Sequence, residues 1–90
     1  MTKNDITRQI EELKTENIEL SQTLNDPIYG TTNREIMAEN ITSIELLSFV
    51  TAHATEQEIR ICQLALPGRV SVMRWAEKQM EDYRHDRARI

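Results

Sequence analysis

Apolar side chains recur along the first third of the chain at Ile6, Ile10, Leu13, Leu20 and Leu24, and the one polar member of the series is Asn17. The steps alternate between four and three residues. At 100° per residue, all six positions fall within an arc of about 80° on a helix. A helix that packs on a globular core usually shows a wider stripe, whereas a narrow a/d stripe is the coiled-coil form. The pattern predicts a first helix over 4–25 with a thin apolar edge.

The rest of the chain follows other patterns. Ile44 to Val50 carries apolar side chains all round, which marks the buried half of a second helix over 33–53. Ile59, Ile61, Cys62, Leu64 and Leu66 predict a short third helix over 56–66 that turns to the core. Over 71–87, Val72, Met73, Trp75, Ala76, Met80 and Tyr83 face one way. Arg74, Glu77, Lys78, Glu81, Arg84 and His85 face the other. No segment alternates as a strand does.

Punctuation agrees with these four elements. Prolines and glycines cluster in Asp26-Pro27-Ile28-Tyr29-Gly30 and Leu66-Pro67-Gly68, where a helix cannot continue. Thr55-Glu56-Gln57-Glu58 and Thr32-Asn33-Arg34-Glu35 have the form of a capping box, and Thr2-Lys3-Asn4-Asp5 is a weaker version. The expected fold is all-α, one helical domain over 1–90. It divides into a coiled-coil-like helix at 1–25, a helical body at 33–87 and a basic tail at 84–90.

Leu13-Lys14-Thr15-Glu16-Asn17-Ile18-Glu19-Leu20 resembles the Leu-x-x-Glu-Asn-x-x-Leu rhythm of leucine zippers, over three heptads. An asparagine at an a position lowers stability but pairs with its counterpart across a parallel dimer and fixes the register. Ile6, Ile10, Leu13, Asn17, Leu20 and Leu24 are therefore expected to form a homodimer seam. The competing reading is an intramolecular hairpin, with the first helix lying on the second and fourth.

Charge adds a second asymmetry. Residues 1–59 carry four bases against eleven acids, and residues 60–90 carry seven bases against four, so −7 and +3 compose the net −4. The two halves are expected to meet different surfaces, or each other. Glu12, Glu19, Glu35 and Glu39 on the acidic side, and Arg84, Arg87 and Arg89 on the basic tail, are candidates for contact with a protein partner.

Candidate chemistry is sparse. One cysteine allows no internal disulfide, and two histidines near helix ends offer poor material for a nucleophilic triad. Trp75 reads as a core anchor, Cys62 as a small buried hydrophobe and His53 as a helix-terminal residue facing the dipole. Glu16-Asn17-Ile18-Glu19 resembles half of the paired magnesium-binding segments of all-α nucleotide pyrophosphohydrolases. The second, Glu-x-x-Asp, segment is missing. No catalytic residue, metal site, cofactor or small-molecule substrate is expected.

Residues 56–87 resemble a helix-turn-helix in outline, with Arg69, Arg74 and Lys78 as nucleic-acid contacts. The turn is one residue short, and Glu77, Glu81 and Asp82 would face phosphates. The expected function is that of a non-enzymatic, homodimeric interaction protein that docks on a protein partner as an adaptor, regulator or inhibitor. DNA binding through 56–87 is the alternative, and an acidic mimic of nucleic acid the third. The start of the chain lacks a signal-peptide layout and no run of 18 apolar residues occurs, so no membrane is expected and the cytoplasm is the expected compartment. Size and composition are compatible with a bacterial or phage accessory protein.

Overall fold

The computed structural model describes residues 1–88, with side chains through His85. It contains four helices: α1 (Lys3–Ser21), α2 (Gly30–His53), α3 (Glu56–Ala65) and α4 (Arg69–Ala88). No strand occurs among the described residues. The molecule measures 44 × 34 × 20 Å, and its short dimension is about two helix diameters.

Two of the three capping boxes form. Thr2 and Asp5 exchange bonds at the start of α1, and Thr55 and Glu58 do so at the start of α3. The box expected at Thr32 does not form, because α2 begins earlier, at Gly30. Asp26 decides this. Its Oδ1 accepts from the amides of Ile28 (2.8 Å) and Tyr29 (3.0 Å), which closes the loop ahead of Thr32. Those two bonds favour the ionised form and hold the Asp26 carboxyl below its ordinary range. Gly30 then lies against the Leu24 carbonyl, inside the space any Cβ would need.

α1 ends four residues before the predicted boundary. Gln22 and Thr23 donate to Glu19 and Leu20, three residues back (3.2 Å each), which tightens the last turn. The Ser21 and Thr23 hydroxyls bond the carbonyls of Ile18 (2.6 Å) and Leu20 (3.2 Å) in place of further helix.

α2 lies between α1 and α4, and α3 packs on α4. Every helix contributes to one core: Ile6, Ile10 and Leu13 from α1; Leu46, Leu47 and Val50 from α2, followed by Ala54; Ile59 from α3; Val72 and Ala76 from α4. Ile44, Phe49, Cys62, Met73, Trp75 and Met80 flank it, half-buried. The N-terminus is tied to α3, since the Lys3 amide donates to Glu56 Oε1 (3.2 Å).

This corrects the expected role of the first helix. Its stripe is not a bare edge held out for a second chain. Ile6, Ile10 and Leu13 are covered by the rest of their own chain, and Leu20 and Leu24 are half-buried. Asn17 bonds within the chain too. Asn40 Nδ2 donates to Asn17 Oδ1 (2.9 Å), and Asn17 Nδ2 donates to the Met37 carbonyl (3.4 Å). The asparagine has an asparagine partner, as the zipper pattern demands, but that partner stands on α2. The physical reason is length. Three heptads are short for a stable two-chain coil, whereas a covalent loop of eight residues, 22–29, brings α2 alongside at small entropic cost.

Candidate interaction surfaces

α3 departs furthest from its sequence-based expectation. Ile59 is buried and Cys62 half-buried, but Ile61 is 58% exposed and Leu64 is 83% exposed. A ten-residue helix can offer only one face to a core, and 100° per residue turns Ile61 and Leu64 away once Ile59 faces inward. Leu66 and Val70, in and just after the following turn, are exposed as well, at 39% and 47%. The four apolar side chains lie within ten residues at one corner of the molecule. Arg60 and Arg69, both exposed, accompany them.

The corner is held firmly. Gln63 works as a staple across it: its Nε2 donates to the Gly68 carbonyl (2.9 Å) and to Ser71 Oγ (3.1 Å), while its Oε1 accepts from the Gly68 amide (3.0 Å). Ser71 Oγ also donates to the Gly68 carbonyl (3.1 Å). Gly68 adopts φ +92°, a backbone conformation that side-chain-bearing residues avoid. Pro67 and Gly68 thus make a sharp bend that Gln63 and Ser71 brace together.

The acidic candidates are spread over the hairpin. Glu12 and Glu19 share the outer face of α1 with Glu16, and Glu35 and Glu39 lie one turn apart on α2; all are exposed. The basic candidates do not converge. Arg74 and Lys78 follow one stripe of α4, but the same stripe carries Glu81, which faces His85 at 3.8 Å. Arg69 lies about 140° round the helix from Arg74, so the three nucleic-acid candidates form no single cationic face. Arg84 is exposed; the side chain of Arg87 and the whole of Arg89 lie outside the described residues.

The groups singled out for chemistry are also dispersed. Burial, and then the nearby Glu58 carboxylate, push the Cys62 thiol up from its ordinary value, which favours the unreactive protonated form. Trp75, expected as a core anchor, is half-buried at the core's margin, with its ring 6.0 Å from that of Phe49. His53 is the last residue of α2, and its ring lies 4.4 Å from Phe49. Among the described residues no three His, Cys, Asp or Glu side chains are grouped to hold a metal ion, and no helix is long and apolar enough to cross a membrane. No family model, no curated protein and no solved structure matches the chain.

Proposed function

We propose that the chain is a protein-interaction module, without an enzymatic step of its own, which docks on a protein partner through the α3–α4 corner as an adaptor, regulator or inhibitor. The supporting observation is the ridge of Ile61, Leu64, Leu66 and Val70, exposed beside Arg60 and Arg69. Single exposed apolar residues need no explanation, but four within ten residues, on two helices joined by a short braced turn, suggest a surface made for binding. Arginine is enriched among the residues that dominate binding energy, and Arg60 and Arg69 are both exposed here. The partner surface that fits has an apolar depression bordered by carboxylates.

DNA binding and a seam between copies draw less support. DNA binding would need Arg69, Arg74 and Lys78 on one face. A seam between copies through α1 would compete with the cover that α2 already gives it.

Replacing both Ile61 and Leu64 with serine tests the proposal. Because both side chains are exposed, stability is expected to change by no more than about 0.5 kcal/mol for each. A partner captured from the native host and then purified is expected to bind the parent chain and to lose at least about tenfold in affinity for the double variant. Equal affinity for both chains, with binding lost instead on charge reversal at Glu12 and Glu19, would move the docking site to the acidic side.

A further inference from the structure

A second surface, separate from the α3 ridge, has its own chemistry. The ends of α2 and α3 and one side of α4 enclose an open groove of about 620 Å³. Its aromatic side is built from Phe49, His53 and Trp75: the Phe49 ring lies 4.4 Å from that of His53, tilted by 42°, and 6.0 Å from that of Trp75, tilted by 50°. Trp75, Gln79, Asp82 and Tyr83 line it from α4, and Glu58 closes it from α3. One oxygen of Glu58 accepts from the Thr55 amide (3.0 Å) in the helix cap. Asp82 is exposed and takes part in no hydrogen bond or ion pair among the described residues.

The lining selects for charge. An apolar side chain would bury against the aromatic rings but would strip water from Asp82 without giving it a partner. An anion would meet two carboxylates. A cation satisfies both features, because aromatic faces attract positive charge, tryptophan most strongly, and carboxylates complete its hydrogen bonding. Arginine suits the site better than lysine, since its planar guanidinium can stack on a ring and offer N–H groups at its edge to a carboxylate.

We propose that this groove binds an arginine-bearing segment of a protein partner, with the guanidinium stacked on Trp75 and bonded to Asp82 and Glu58. The inference does not rest on the α3 ridge, from which none of the groove residues comes. Trp75 is the only tryptophan in the chain, so its fluorescence reports on this site directly.

The test is a fluorescence titration with the capped pentapeptide Gly-Ser-Arg-Ser-Gly, and with the same peptide carrying citrulline, the neutral isostere of arginine. The arginine peptide is expected to give a saturable change that fades at roughly 1 M salt, where the Debye length falls to about 3 Å. The citrulline peptide is expected to give none. Asp82→Asn combined with Glu58→Gln, which keeps an acceptor for the α3 cap, should weaken binding about fivefold, whereas the Ile61, Leu64 double serine variant should leave it unchanged. Equal responses to both peptides, no response at tens of millimolar, or indifference to the carboxylate changes would overturn the proposal. So would a peptide-independent change that grows with protein concentration and vanishes in Asp82→Asn, which would make a second copy of the chain the occupant.

Discussion

Leu47→Ala is expected to lower the melting temperature of the protein by roughly 12 to 24 °C. Leu47 is completely covered and lies in the middle of the one core that all four helices share. Truncating a buried leucine costs about 3 kcal/mol, the sum of the lost transfer energy and the cavity left behind. In a domain of this size each kcal/mol shifts the midpoint by about 4–8 °C. Few neighbours can collapse into the gap, because α2 is held on one side by α1 and on the other by α4. Leu64→Ala removes the same atoms from an exposed site and is expected to shift the midpoint by only a few degrees at most. Thermal unfolding followed by circular dichroism checks both. Equal effects at the two positions would mean that α3 is docked with its outer face inward.

Asn17→Leu gives the second large effect, and its sign is informative. A seam between two copies predicts a more stable protein, since leucine is the better a-position residue. The observed pairing implies the reverse. Removing Asn17 leaves the Nδ2 of Asn40 without its acceptor, and Asn40 is only 8% exposed. An unsatisfied buried donor costs about 1–3 kcal/mol. Asn40→Leu is expected to cost a similar amount. The double replacement, which removes both polar groups together, should recover much of the loss and leave a coupling energy of about 1 kcal/mol or more. Urea denaturation of the four proteins measures it.

The helices themselves could be read from local signals. Apolar periodicity, two loop clusters and the capping boxes at Thr2 and Thr55 place all four within a few residues. The start of α2 could not be read this way, because Thr32-x-x-Glu35 satisfies the capping pattern while Asp26, six residues earlier, takes the amides that decide where the loop closes. The stripe of α1 posed a different difficulty. A row of leucines at heptad spacing is equally suited to a helix of another chain or of its own, so periodicity cannot say which chain covers it. One clue was present. Asn17 and Asn40 lie eleven and twelve residues from Ile28, the centre of the Asp26-to-Gly30 break, so an antiparallel hairpin folded there sets the two asparagines close together.

The interaction surfaces were less legible. The apolar residues of the third helix predicted burial, yet composition alone does not reveal that a ten-residue helix has room to bury only Ile59 and part of Cys62. Likewise Phe49, His53 and Glu58 fall within ten residues, but Trp75 and Asp82 come from α4, and the five carry no common motif. Only the packing of α4 on α2 and α3 brings them to one groove.

The most direct check on the whole picture is an isotope-filtered NMR experiment on an equal mixture of labelled and unlabelled protein. It separates contacts inside one chain from contacts between copies. Methyl groups of Ile6, Ile10 and Leu13 are expected to show contacts with Leu46, Leu47 and Val50 only within the labelled chain, and the filtered spectrum should be empty for these residues. Filtered cross-peaks joining Ile10 or Leu13 of one copy to the same stripe of another would contradict it, and would return the N-terminal helix to a seam between chains.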